Sequence, residues 1–293
     1  MKYRNVFVLG TDQFAVFCAK IIMSFDYPVQ IIDTNDEKNP VLFSVCKKID
    51  LPYIHIRKES RTEFFLDKKT DLLLISAINP WIIPNSILSE ASIKAVNLHH
   101  SLLPRHPGRN AEAWAIFCGD NKTGVTWHLI TSDVDGGEIV TQAEIKLDER
   151  TTSLGLLRIQ NNLAKDLFKS ICKDLLNDCL KTFPQEMRHE KVHYSWERPN
   201  NGLLNPDWDS TQISRFIRSM DYGFLKILGD PVVLVDNIPY TWSSYEISEN
   251  TGNDFERIQK NEESVFIYKR DKVFLLKNVH RINTKQASDK YIY

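Results

Sequence analysis

Residues 95–104 read AVNLHHSLLP, and residues 124–137 read GVTWHLITSDVDGG. In the first stretch the polar residues Asn97 and His99 are separated by one apolar residue, and residues two apart on a strand share a face. His100 faces the other way if the strand continues, so His99 is the imidazole that shares a pocket with Asn97. The second stretch is rich in β-branched and aromatic residues as far as Ile130. It then passes into a polar loop, Thr131 to Asp135, closed by two glycines, which reads as a buried strand delivering Asp135 into a turn. An amide and an imidazole can donate hydrogen bonds to an oxyanion, while a nearby carboxylate orients the imidazole and favours its charged form. Asn97, His99 and Asp135 are therefore candidate catalytic residues for transfer of an acyl group to an amine.

Working outward, the apolar runs VFVLG, VQIID, LPYIHI, DLLLISA, AVNLH, GVTWHLI and IVTQAEI alternate with helix-like segments. That order predicts an α/β fold with a mainly parallel, Rossmann-like sheet covered on both faces. The first turn, GTDQFA, has one glycine where a dinucleotide fingerprint uses three, so a nicotinamide cofactor is not indicated. Ligands of open α/β sheets sit beyond the carboxyl ends of the strands, where Asn97, His99 and the loop to Asp135 emerge.

Between Ser153 and Leu180 the apolar positions 156, 159, 163, 164, 167, 168, 171 and 175 have helical spacing, which predicts one long packing helix. Cys172 and Cys179, seven apart, are expected on one face of it as small apolar residues. The turn-rich run from Tyr194 to Asp209 marks a crossover, dividing the chain into a catalytic domain over 1–193 and a smaller β-rich domain over 194–293. In the latter, a helix capped by Asp209 or Ser210 precedes the runs PVVLVDN, IPYTWSSYEI, SVFIYKR and KVFLLKNV, which read as antiparallel strands.

The chain has 293 residues, 42% hydrophobic and 26% charged, with a formal net charge of −1. This is an ordinary globular balance with no global attraction for a polyanion. The five cysteines have neither metal-ligand spacing nor the density of a disulfide scaffold, no metal is expected, and a reducing cytoplasm is the simplest setting. No stretch reads as a signal peptide or a membrane span. A metal hydrolase using His99, His100, His106 and Asp135 is opposed by the contrary facing of the first two.

NLHHSLLP, GRNAEAWAIFCGD, TGVTWH and DVDGGEI together resemble the signature of the 10-formyltetrahydrofolate-dependent formyltransferases, the group that includes methionyl-tRNA and glycinamide ribonucleotide formyltransferases. The likeness runs over roughly residues 5–160. It implies a catalytic trio on Asn97, His99 and Asp135, with His128 at a further family position, either beside the trio or as a core histidine. VFVLGTDQFA is similar to the family's first strand and turn, and SAINPWIIPNSIL to the segment that holds the pterin. By that likeness 10-formyltetrahydrofolate is the co-substrate. It would lie by Ile78 and along the backbone of Trp81, Ile82 and Ile83, and against Ile130, Thr131 and Ser132, with the Trp81 ring either on the folate or in the core. The last hundred residues resemble a shortened form of the small OB-like barrel of methionyl-tRNA formyltransferases.

The acceptor is read from a departure. Where the tRNA enzymes carry a basic, glycine-containing loop after the second strand, this chain has DTNDEKNPVLF, and GRNAEAWAIF is closer to formyltransferases of specialised metabolism. The resemblance therefore implies a small or carrier-bound amine, an amino sugar nucleotide or an aminoacyl compound, ahead of methionyl-tRNA; hydrolysis of formyltetrahydrofolate shares the same trio. Arg105 and Arg109 either grip an anionic part of the acceptor or are solvated loop charges. Tyr222, Trp242 and Tyr245 are expected to fill the small domain's core rather than line an acceptor site.

Overall fold

A computed structural model describes residues 1–186, 190–252 and 256–282. The chain divides into two compact units, each built from separate stretches: Met1–Gly108, Gly124–Ile145 and Ile159–Val192 in the first, and Arg109–Thr123, Lys146–Arg158 and the chain from His193 onward in the second.

The first half of the chain alternates as expected: β1 (Asn5–Leu9), α1 (Gln13–Met23), β2 (Gln30–Asp33), α2 (Pro40–Lys48), β3 (Tyr53–His55), α3 (Arg61–Asp67), β4 (Leu72–Ser76), α4 (Asn85–Leu88) and β5 (Ile93–His99). α5 (Ala111–Cys118), β6 (Lys122–Leu129), β7 (Ile139–Lys146) and α6 (Ser153–Leu176) follow. The seven strands lie in the order β3-β2-β1-β4-β5-β6-β7. β1 to β5 are mutually parallel, and β6 returns antiparallel to β5. β4, LLLIS, is buried along its whole length, as a strand covered on both faces must be, so its apolar run does not alternate. The order reverses between β1 and β4, and this is the crevice where doubly wound sheets take ligands.

α6 ends at Leu176, short of the predicted Leu180, so Cys172 and Cys179 do not share a helix face: Cys172 is buried, and Cys179 lies beyond the helix and is exposed. Ile159, placed in the apolar stripe from sequence, is exposed, and its neighbour Gln160 is fully buried instead. The Gln160 amide donates to the carbonyls of His100 (2.7 Å) and Gly124 (2.9 Å), so a polar side chain holds the interior position because it satisfies backbone acceptors there.

In the second unit α7 (Ser210–Met220) is capped by Asp209, whose side chain accepts from Gln212 N at 2.8 Å. It is joined by β8 (Leu203–Leu204), β9 (Val232–Val235), β10 (Ile238–Thr241), β11 (Ser244–Glu249), β12 (Arg257–Lys260), β13 (Ser264–Tyr268), β14 (Lys272–Lys277) and β15 (His280–Arg281). The strands form two four-stranded sheets, β15-β10-β9-β8 and β11-β14-β13-β12. All their pairings are antiparallel except β8 with β9, and among the described residues no ladder joins the two sheets into a closed barrel. The apolar face of α7 (Ile213, Phe216, Ile217, Met220) packs with strand residues such as Val233, Val265 and Phe274. Tyr222 and Trp242 belong to this core; Tyr222 Oη donates to Glu112 Oε1 (2.6 Å) and Tyr245 Oη to Asp221 Oδ2 (2.9 Å).

Candidate active site

β5 sets the site by its period. Asn97 and His99 project from one face, and His100 from the other, where its Nε2 lies 2.9 Å from Asn161 Oδ1. In the antiparallel pairing of β5 with β6, Asn97 stands opposite His128 and His99 opposite Thr126. Directly opposed residues in an antiparallel pair share a face, so the register brings His128 to Asn97. The loop after β6 then folds back over that face and carries Asp135 to the three side chains.

Asp135 is the hub. Its Oδ2 accepts from the backbone N–H of Gly108 (2.7 Å) and lies 3.3 Å from His99 Nδ1. Its Oδ1 lies 3.4 Å from both Asn97 Nδ2 and His128 Nε2. Burial pushes the Asp135 carboxyl up, but the positive charge of His99, the hydrogen bond and charge of His128 and the Gly108 N–H more than reverse this, holding it well below the usual carboxylate range.

The two imidazoles differ in their partners. His128 Nδ1 donates to Leu129 O at 2.8 Å, which leaves Nε2 facing Asn97 Nδ2 at 3.1 Å and the Asp135 carboxylate. Neutral, Nε2 accepts from the Asn97 amide; charged, it donates to the carboxylate. His99 has acceptors on both sides, the Asp135 carboxylate at Nδ1 and His106 O at 2.9 Å from Nε2. Both ring nitrogens of His99 thus face oxygen acceptors.

The segment from Ser101 to Gly108 supplies two of these backbone partners and is itself tied down. Thr126 Oγ1 donates to Ser101 O (2.7 Å) and accepts from Leu103 N (3.2 Å), while Gln142 Nε2 donates to Leu103 O (2.8 Å). On the other side, Gln185 Nε2 donates to both Asp135 O and Gly137 O at 2.7 Å, clamping the turn that presents the carboxylate. Gln142, Gln185 and Gly108 had no signal in the linear pattern, because each acts on a backbone group far away in sequence.

The segments expected to hold the folate adjoin one apolar cluster: Ile83 is buried in it, and Trp81 and Ile130 pack against it. The Trp81 ring stacks on Phe65 at 5.2 Å and 19°, a core role, and its backbone N and O are both bound by the Asn79 side chain. Ile82 is 78% exposed, and Thr131 and Ser132 are exposed. Ile78 has φ 59°, a left-handed backbone that costs a β-branched residue about 1–3 kcal/mol and is characteristic of ligand-facing turns. An apolar wall beside exposed loop backbone suits a flat heterocycle with polar edges.

The acidic loop after β2 is closed on itself. Asp33, fully buried, accepts from Asn35 N (3.0 Å), Asn35 Nδ2 (2.7 Å) and Asn39 N (2.9 Å), and from Tyr53 Oη. Burial opposes its charge, but these bonds lower its pKa. Arg61 reaches in to donate to Asn35 O at 3.0 Å. Arg109 N donates to His193 O (2.8 Å), and the Arg105 guanidinium lies 3.8 Å from Glu190. Among the described residues no group of His, Cys, Asp and Glu could hold a metal ion, and no helix is long and apolar enough to cross a membrane.

Comparisons with known proteins support a formyltransferase enzyme. The family model described as formyl transferase matches residues 44–168. The chain is 28% identical over 254 residues to a GDP-perosamine N-formyltransferase of Brucella melitensis, covering 83% of this chain and 93% of that relative. It is 24% identical over 235 residues to the methionyl-tRNA formyltransferase of Malacoplasma penetrans, covering 75% and 71%. Its fold is similar to that of an N-formyltransferase of Helicobacter canadensis solved with folinic acid and dTDP-3-aminofucose, with a TM-score of 0.72 and 17% identity, covering 94% of this chain and 99% of that one.

Proposed function

We propose that this chain is an N-formyltransferase acting on the primary amine of a nucleotide-linked amino sugar, with Asn97, His99 and Asp135 as its catalytic residues. The observation that carries the reading is the Asp135 carboxylate held between two imidazoles, an amide and a backbone N–H. 10-Formyltetrahydrofolate supplies the formyl group, in contact with Ile78, Ile82, Ile83, Ile130, Thr131 and Ser132. Asn97 Nδ2 and an N–H of His99 donate to the oxygen that gains charge as the amine nitrogen bonds to the formyl carbon. Asp135 keeps His99 charged and takes the proton the amine releases, directly or through water. A proton from His99 then goes to the departing folate nitrogen as the old C–N bond breaks.

The choice of acceptor rests on two supports. The sugar-modifying relative aligns over more of this chain than the tRNA-modifying one does. The loop that would have to offer cations to a tRNA backbone exposes Asp36 and Glu37 beside its one lysine, Lys38. The test is tetrahydrofolate release, followed by absorbance, from 10-formyltetrahydrofolate with GDP- and dTDP-linked amino sugars, aminoacyl compounds and methionyl-tRNA. Release dependent on an amino sugar nucleotide is the expected result. Release with methionyl-tRNA alone, or with no amine at all, would overturn the reading.

A further inference from the structure

α7 has a polar face as well as an apolar one. Thr211, Ser214, Arg215 and Arg218, spaced at i, i+3, i+4 and i+7, line a cavity of about 200 Å³ in the second unit, together with Lys272 at the start of β14. The volume is below the roughly 300–1,000 Å³ of sites for drug-sized ligands, so the cavity takes one compact group.

Arg218 is 8% exposed, and its Nη1 donates to the carbonyls of Thr151 (2.8 Å) and Asp148 (3.4 Å) while Nε donates to Ser214 Oγ (3.2 Å). These hydrogen-bond acceptors are neutral, and the carboxylates that favour the Arg218 charge, Glu149 and Asp148, act on it only through space. The Arg215 guanidinium lies against Gly119, where an added Cβ would stand 2.1 Å from Cζ. Gly119 ends α5 in the left-handed conformation, φ 74°, so glycine serves there both the turn and the room for Arg215. Lys272 Nζ is 3.5 Å from Glu149 Oε2, but that carboxylate's side chain is 87% exposed and its pull is weakened by solvent.

Asp120 and Asp148 also line the cavity. The Asp148 carboxylate is turned to its own loop, accepting from Arg150 N (2.9 Å) and Thr151 Oγ1 (2.7 Å). The set thus combines two arginines and a lysine with three carboxylates, of which Asp148 and Glu149 are exposed, and no metal-binding group occurs among the described residues.

We infer that this cavity is a binding site for a tetrahedral oxyanion of the phosphate class, held by Arg215, Arg218 and Lys272. Guanidinium groups match phosphate oxygens in a fork, and the lysine adds a point charge.

The experiment is calorimetric titration of the whole protein with inorganic phosphate and with phenyl phosphate, at constant ionic strength set by chloride. Saturable phosphate binding with a Kd of about 1 mM or tighter is expected. Arg215→Gln and Lys272→Gln should each weaken it at least tenfold with unchanged melting temperature, and Glu149→Gln should tighten it, a change of opposite sign that misfolding cannot produce. Phenyl phosphate binding as tightly as phosphate identifies the ligand as a phosphoryl group on a larger molecule; phosphate alone identifies the free ion. Absence of saturable binding, equal competition by chloride, or indifference to all three substitutions would overturn the inference.

Discussion

His128 Nε2 stands 3.1 Å from Asn97 Nδ2, across a pairing in which the two residues face each other from antiparallel strands. The contact follows from register: the alternation that turns Asn97 and His99 to one side of β5 fixes, through one pairing, which residues of β6 they meet. One slip of β6 would place Trp127 there and send its indole out of the core, where it packs against Phe14 and Phe168.

The trio is the first matter to test. His99→Ala and Asp135→Ala are each expected to lower kcat by roughly two or more orders of magnitude, with far-ultraviolet circular dichroism unchanged. Activity within a few-fold of wild type in either variant would remove the proposed roles.

Gly108 has φ 96° and gives its N–H to Asp135 Oδ2 at 2.7 Å. In Gly108→Ala the left-handed backbone costs about 1–2 kcal/mol, and relief of that strain moves the N–H off the carboxylate. Steady-state kinetics should show kcat reduced by about tenfold, the price of 1.4 kcal/mol in the transition state, with a smaller change in KM.

The pH dependence of stability follows from the depressed pKa of Asp135. A carboxyl whose folded pKa lies below its unfolded value of about 3.9 gives its full stabilisation above that pH and loses it as the pH falls toward the folded value. Urea midpoints of wild type and Asp135→Asn, measured from pH 7 to pH 3, should therefore differ by a constant amount above about pH 5 and converge below about pH 4. A gap that widens on acidification would contradict the assignment.

Gln185 tests positioning. Its amide holds two carbonyls of the turn that presents Asp135, so Gln185→Ala should reduce kcat by about three- to tenfold, the worth of one or two ordinary hydrogen bonds, with KM for the folate unchanged. A fall in melting temperature with kcat intact would assign Gln185 to stability alone.

Period and composition made the sheet legible, because strands buried on both faces are continuous apolar runs and the polar interruptions at Asn97 and His99 stand out against them. Asp135 was legible for a similar reason, at the end of a strand and before two glycines. What stayed hidden depends on long-range geometry. His128 looked equally like a core histidine until the antiparallel register of β6 placed it on Asn97. Gln160 interrupts an apolar stripe, and nothing local shows that two distant carbonyls await it. The last strands read correctly as antiparallel, but how strands group into sheets is set by side-chain packing between them, and among the described residues they form two four-stranded sheets.

The amide nitrogen of Asn97 and both ring nitrogens of His99 already face protein oxygens. In the proposed mechanism any oxygen entering the site must displace one of those acceptors. A neutral formyl oxygen is a poor competitor for a donor engaged by a carboxylate, whereas an oxygen carrying a full negative charge competes well. Discrimination between substrate and transition state is thereby written into the resting donors, which resist the group as it arrives and yield to it only once it is half transformed.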